Sequence, residues 1–322
     1  MKVTILYASL TGNTQHFAEV IAKELSGAHA VRTIDMIPAI RSPETFASIQ
    51  QAVSECECLG VGSLVWGFYP MPGVCDILRR LDAATVARKP VFAFATAGQD
   101  LGYTTDAMSE ILAEKGALPV AATGCYAPEN FVPLLPAKPH RDLWGSEEQD
   151  KAVHLACTLQ SILSHWDPAR CPPLFKYRKG SSKNRKQFPV LLGPIRCDRS
   201  KCVRCGLCAN RCPYGAMSQD IESGFPVFDS AKCNGCARCV NLCPREALSH
   251  PRFNGETRTK YRYDPVNGVK KGPNNYVRRQ LLPRALNMSF QLKMFLLLCI
   301  LAALLLGFFS LRGVAKLVRR LM

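Results

Sequence analysis

Two cysteine runs of the form C-x2-C-x2-C-x3-C-P constrain this 322-residue chain more than anything else in it: Cys202, Cys205, Cys208 and Cys212-Pro213, then Cys233, Cys236, Cys239 and Cys243-Pro244. A structural zinc would take paired C-x2-C hooks with four ligands per ion, and would leave the third cysteine and the Cys-Pro of each run unexplained. The runs are an internal repeat. At an offset of 31 residues Asp198 matches Asp229, Lys201 matches Lys232, and every cysteine coincides, which predicts a duplicated half-domain with pseudo-twofold symmetry. The opening stretch "MKVTILY" is too short for a secretory h-region. The 16 cysteines are therefore expected to fold in a reducing cytosol, as metal ligands or buried apolar residues rather than disulfides.

Three thiolates two residues apart can wrap one face of an iron-sulfur cube while the backbone amides between them turn toward its sulfides. The fourth thiolate must arrive from elsewhere. Gly206 and Gly235 suit so tight a wrap. The segment resembles the two-cluster bacterial ferredoxins over about fifty residues, and in that pattern the fourth cysteine of each run serves the other cluster. The resemblance implies two 4Fe-4S clusters in a small α+β domain at 197–250. One would be held by Cys202, Cys205, Cys208 and Cys243, the other by Cys233, Cys236, Cys239 and Cys212. Cys56, Cys58, Cys75, Cys125 and Cys157 fall on predicted strands or helices and read as small buried hydrophobes. Cys197, five residues before Cys202, is expected to be neither ligand nor redox thiol.

Residues 1–166 alternate β-branched runs with amphipathic stretches. Strands are read in "KVTILYA", "AVRTID", "CECLGVGS", "KPVFAFATA" and "ALPVAATGCYA", with a helix after each. Such alternation predicts a five-stranded parallel sheet, doubly wound and covered on both faces. The first strand leads into "YASLTGNTQHF". Hydroxyls at Ser9, Thr11 and Thr14, a close backbone approach at Gly12 and a helix N-terminus suit a monophosphate without Lys or Arg. Neither G-x-G-x-x-G nor G-x-x-x-x-G-K-[ST] is present, which argues against a dinucleotide at this loop and against a nucleoside triphosphatase.

The stretch S-L-T-G-N-T resembles the flavodoxin phosphate loop, [ST]-x-T-G-x-T. That implies FMN, with Ser9, Thr11, Gly12, Asn13 and Thr14 around its phosphate. Flavodoxin-like sheets bind their cofactor beyond the carboxyl ends of the strands, at the switch point. The isoalloxazine is therefore expected on the loop after strand three, with Trp66, Phe68 and Tyr69, and on the loop after strand four, with Thr96, Ala97, Gly98, Gly102 and Tyr103. Which aromatic stacks on the ring stays open.

The remaining segments are polar or apolar without sheet-forming periodicity. Residues 167–196 hold five prolines around the basic cluster "KYRKGSSKNRK" and read as a linker, and 251–288 reads as a second basic linker. Residues 289–322 contain the uncharged run 294–311, whose eighteen residues would span roughly 27 Å as a helix against about 30 Å of bilayer core. A hydrophobic C-terminal helix, serving as a membrane anchor for redox domains on the cytoplasmic side, is the expectation. Charge is uneven: 12 Lys or Arg against 17 Asp or Glu in 1–166, but 29 against 8 in 167–322. The basic runs lack aromatic interleaving or a recognisable binding motif, so no nucleic-acid partner is expected.

A flavodoxin-like front joined to a two-cluster ferredoxin unit is similar to the fused flavodoxin-ferredoxin proteins of anaerobes, as is the segment "APENFVP" at 127–133. The resemblance implies an electron carrier joining two-electron and one-electron partners, with a redox protein as donor or acceptor. Two other readings stand beside it. One is a flavin-dependent oxidoreductase whose clusters only feed the flavin, and the other is a membrane-tethered subunit of a larger complex.

Overall fold

A near-continuous apolar run suits a strand covered on both faces, and Lys2–Ala8 forms such a strand, β1, buried from Val3 onward. The computed structural model describes residues 1–98, 100–127, 146–167, 169, 175–182, 194–249, 262–264 and 268–270. All of these lie in one compact unit, Met1–Asn274, and the second unit, Asn275–Met322, lies outside the described residues. The expected apolar helix at 289–322, with its run 294–311, therefore falls outside them too. Among the described residues no helix is long and apolar enough to cross a membrane.

Strands β1, β2 (Ala30–Asp35), β3 (Cys58–Trp66), β4 (Tyr69–Pro70), β5 (Pro90–Ala97) and β6 (Leu118–Tyr126) make one sheet. Five of them run parallel in the order β2-β1-β3-β5-β6. That is the flavodoxin-like strand order. The five-strand expectation needs one correction, because β4 adds a sixth, antiparallel strand of two residues folded back on Val65 and Trp66. Register levels the carboxyl ends: Tyr7 lies beside Asp35, Ala8 beside Ser63, Leu64 beside Thr96 and Ala97 beside Tyr126. The loops that leave those ends share one edge of the sheet.

Helices α1 (Asn13–Leu25), α2 (Pro43–Glu55), α3 (Val74–Arg80), α4 (Ala83–Val86), α5 (Thr104–Glu114) and α6 (Ser146–Ser164) cover the sheet. α2 starts where Ser42 caps the Thr45 N–H at 3.0 Å and Pro43 presets the first turn. Phe17, Ile21 and Leu25 of α1 pack with Leu155 and Leu159 of α6 on one face. Ile49 and Val53 of α2, Ile77 of α3 and Met108 and Ile111 of α5 pack on the other. Close packing dictates glycine in β3: a Cβ at Gly60 would lie 2.3 Å from the Phe92 ring, and one at Gly62 2.1 Å from the Phe94 ring.

The cysteine-rich part shows its duplication in three dimensions. It contains β7 (Arg196–Cys197), α7 (Leu207–Asn210), β8 (Met217–Gln219), β9 (Pro226–Phe228), α8 (Arg238–Leu242) and β10 (Leu248–Ser249). β7 pairs with β10 and β8 with β9, both antiparallel. Interactions repeat at the same offset. Lys201 pairs with Asp198 at 3.5 Å and Lys232 with Asp229 at 3.2 Å. The Ala216 and Ala247 amides donate to Cys212 Sγ and Cys243 Sγ, both at 3.2 Å. Left-handed backbone recurs at Arg204 and Gly235, at Gly206 and Ala237, and at Gly215 and Glu246. Within the expected second linker, β11 (Arg262–Asp264) and β12 (Gly268–Lys270) form a two-stranded antiparallel ribbon.

Candidate redox site

The loop after β1 is built from buried small polar residues. Ser9, Asn13 and Thr14 are all buried. Ser9 Oγ accepts the Gly12 N–H at 3.1 Å, which folds the loop back on itself. Gly12 stands at the N-cap of α1 with φ 108°, a left-handed corner that glycine takes at little cost, and contributes no side-chain cap. Thr14 Oγ1 lies 2.8 Å from Thr96 Oγ1, so the predicted phosphate loop is tied to the carboxyl end of β5. Thr11 is half-buried. A helix N-terminus ringed by hydroxyls fits a phosphate monoester.

The two predicted ring loops touch each other. Trp66 ends β3 and is buried, whereas Phe68 is 41% exposed. Gly67 and Phe68 have φ values of 54° and 73°, the signature of a tight hairpin between β3 and β4. A bulky side chain at such a φ is strained, and such strain clusters at functional sites. The Tyr103 amide donates to Phe68 O at 2.7 Å. Gly102, at φ 55°, leaves no room for a side chain, because a Cβ there would lie 2.3 Å from Phe68 O. Tyr69 and Tyr103 stack with centroids 5.5 Å apart, and the Arg178 guanidinium lies 4.2 Å from the Tyr103 ring centre. Both tyrosines thus spend ring surface on protein contacts, while Phe68 keeps an exposed face. Thr96 and Ala97 are buried at the end of β5, and Gly98 is half-buried just beyond it.

The eight predicted ligands fall into two sets. Cys243, from the second run, joins Cys202, Cys205 and Cys208 of the first around a hollow of ≈ 420 Å³, measured out to its open mouth. Arg204 and Arg245 are the charged side chains lining it. This is the outer set. Cys212 joins Cys233, Cys236 and Cys239 in the inner set. Burial, followed by the neighbouring Cys236, Cys233 and Cys212, raises the Cys239 thiol well above the usual range. Burial also pushes the Cys236 thiol up to about 12. Four thiolates packed this closely could not all be charged without a cation among them, which is what a metal partner would supply. Gly235 N–H donates to Cys233 Sγ at 3.3 Å, as the Ala216 and Ala247 amides do to their cysteines. Among the described residues no three His, Cys, Asp or Glu side chains close on a single-ion site. Four cysteines around a hollow with amides aimed at sulfur suit a multi-atom inorganic core.

The inner set faces the α/β domain. Cys236 and Tyr214 pack against the core that contains Met71 and Ile37. Tyr214 Oη donates to Pro72 O at 3.4 Å, and Arg41 Nη1 donates to Cys212 O at 2.8 Å. Pro72 follows the hairpin that carries Phe68 and Tyr69. Asp35, at the carboxyl end of β2, is raised by burial and drawn back down by the Ile37 amide, Arg238 and Arg211. Arg238 is itself buried, and its Nε has no hydrogen-bond partner among the described residues. The contact is largely apolar, with one carboxylate opposite two guanidinium groups.

Several residues here escaped the sequence reading. Arg41, Tyr214 and Arg238 carry the contact between the domains but belong to no motif. Cys197 lies beside the outer set: burial, then Cys202, Cys208 and Cys243, push its thiol up to about 11. Its place five residues before the first run was the only signal. Arg178, read as part of a linker, reaches the second ring loop.

Fold and cysteine geometry together define an α/β domain of flavodoxin-like topology carrying a duplicated, cysteine-rich redox unit. Residues 201–247 match the family model of the 4Fe-4S dicluster domain. The combination is consistent with a fused flavodoxin-ferredoxin protein. No curated protein matches the chain significantly. Solved structures with similarity to it include a flavodoxin from the domain Archaea, at 19% identity and TM-score 0.38, over 51% of this chain and 100% of that one. Rubredoxin oxygen:oxidoreductase from Desulfovibrio gigas matches at 20% identity and TM-score 0.40, over 53% of this chain and 37% of that chain. Two-electron reduced flavodoxin from Megasphaera elsdenii matches at 18% identity and TM-score 0.35, over 48% and 98% of the two chains.

Proposed function

We propose that the protein is an electron carrier that holds FMN in its α/β domain and one 4Fe-4S cluster in each cysteine set. FMN, when bound, exchanges electrons singly or in pairs, and a 4Fe-4S cluster exchanges them singly. Ser9, Thr11, Gly12, Asn13 and Thr14 would hold the phosphate. The loops carrying Trp66, Phe68 and Tyr69 and Thr96, Ala97, Gly98, Gly102 and Tyr103 would hold the ring. The single observation that carries the reading is the placement of the inner set. Cys236 and Tyr214 are packed on the core of the α/β domain, beside the chain that leaves the Phe68 hairpin. The inner cysteines lie against the α/β core, and the outer hollow, with Cys205 exposed, is where a redox protein would meet the chain.

Iron, sulfide and flavin analysis of oxygen-free protein tests the reading. Two 4Fe-4S clusters and one FMN per chain are expected, and colourless protein would end it. A second reading, membrane tethering, is favoured by the uncharged run at 294–311. Carbonate washing of native membranes tests that one, since release into the soluble fraction removes the anchor.

A further inference from the structure

Two acids of α5 raise a question that the helix alone does not answer. Asp106 and Glu110 are four residues apart and both buried, a like-charge arrangement that destabilises an isolated helix. Their partners come from the basic segment 175–182, read in sequence as linker. The amides of Gly180 and Ser182 donate to the two carboxylate oxygens of Glu110, the second at 2.5 Å. Arg178 Nε donates to Asp106 Oδ2 at 2.6 Å. Arg79, on α3, donates from Nη2 to Ser182 O at 2.7 Å, and Ser181 Oγ closes the turn on Arg178 O at 2.6 Å. The segment is a strap tied down from Arg178 to Ser182.

Arg178 does more than neutralise Asp106. Its Nη2 donates to Gly102 O at 2.7 Å, and its guanidinium lies over Tyr103 at 4.2 Å. The second ring loop is thus gripped from outside by Arg178 and from inside by the Tyr103 amide on Phe68 O. The Arg178 side chain remains 61% exposed, so its outer face is open to a bound ligand while its Nε holds Asp106.

We propose that Arg178 is a positioning residue of the flavin site: it fixes the Gly102–Tyr103 loop and sets a permanent positive charge beside the bound ring. The proposal rests on the FMN reading above. A fixed cation near a flavin favours its reduced, more negative form.

The test uses the full chain loaded with FMN and compares it with Arg178→Ala and Arg178→Lys. FMN affinity is read by flavin fluorescence, and the flavin midpoint by spectroelectrochemistry. Arg178→Ala is expected to weaken FMN binding by about tenfold, the effect of losing a charge-assisted hydrogen bond to the loop. It is also expected to lower the reduced-to-oxidised ratio by about tenfold, which is about 30 mV for a two-electron couple. Arg178→Lys keeps the charge and loses the fork, so it should recover the midpoint more fully than the affinity. A midpoint unchanged in Arg178→Ala overturns the proposal whatever happens to affinity. If that variant fails to fold, Arg178→Lys decides alone: affinity and midpoint both as in the parent refute the grip on the loop. A parent protein that holds no FMN refutes the functional reading instead.

Discussion

The two cysteine sets have the same spacing, a matching amide-to-sulfur contact from Ala216 and Ala247, and the same Asp-Lys pair in front of them. What differs is what lies around them. The inner set has Tyr214 and Arg238 where the outer set, 31 residues away, has Arg245 and Leu207. Tyr214 reaches into the core of the α/β domain, while Arg245 lines an open hollow. Val203, Ile221 and Val227, three of the exposed large hydrophobics, belong to the same cysteine-rich part, and Val203 lines that hollow. A symmetric pair of ligand sets has thus been made unequal by docking against a larger neighbour. One set is packed against the α/β core and the other lines an open hollow.

Ligand removal should break this comparison most severely. Cys236→Ser is expected to lose one cluster together with several kcal/mol of stability, because metal binding and folding are linked, and to free the cysteine-rich part from the α/β core. Cys205→Ser, at an exposed position, should lose as much iron while the Tyr214 contact survives. Iron and sulfide analysis combined with thermal unfolding checks this, and equal destabilisation by the two variants would erase the distinction between the sets.

Next in size is the packing difference. Tyr214→Ala removes a half-buried ring packed on the α/β core and should cost about 2 kcal/mol, whereas its counterpart Arg245→Ala should stay within about 0.5 kcal/mol. Denaturant titration of both variants measures the gap. A smaller effect is electrostatic. The buried Arg238 guanidinium favours a more reduced, more negative neighbour, so Arg238→Leu, which copies Leu207, should lower one cluster midpoint by roughly 59 mV, a tenfold change for one electron. A redox titration followed by paramagnetic resonance should show the other cluster unmoved. Smallest of all in stability is Arg204→Glu at the outer hollow, expected within about 0.5 kcal/mol. It should slow electron exchange with a small acidic redox protein severalfold at low salt, and the difference should fade as salt rises. Rapid-mixing kinetics at two ionic strengths would show whether it does.

Much of the fold was legible because its signals are local. Apolar runs such as "KVTILYA" and "KPVFAFATA" mark buried parallel strands, and the spacing of eight thiols predicts a duplicated unit without any knowledge of its neighbours. The two-residue β4 was not legible, since its turn places Phe68 where Asn or Gly is the usual choice. The strap at 175–182 was hidden for another reason. It has no periodicity of its own, and its order comes from Asp106 and Glu110, some seventy residues earlier in the chain. Cys212 and Arg41 are separated by 171 residues. Nothing in either cysteine run says which set turns inward, because that depends on the surface it meets.

Three corners of the cysteine-rich part, Arg204, Ala237 and Glu246, bend left-handed without a glycine, while their counterparts Gly235, Gly206 and Gly215 use one. A side chain in that conformation costs roughly 1–2 kcal/mol, which the surroundings must supply. Arg204 and Ala237 each adjoin a cysteine of the two runs, and Glu246 follows Cys243 by three residues, so a bound inorganic core would act as the clamp that keeps them bent. Once demetallated, the chain would relax first at these three points, and the amides there would be the earliest to exchange with solvent.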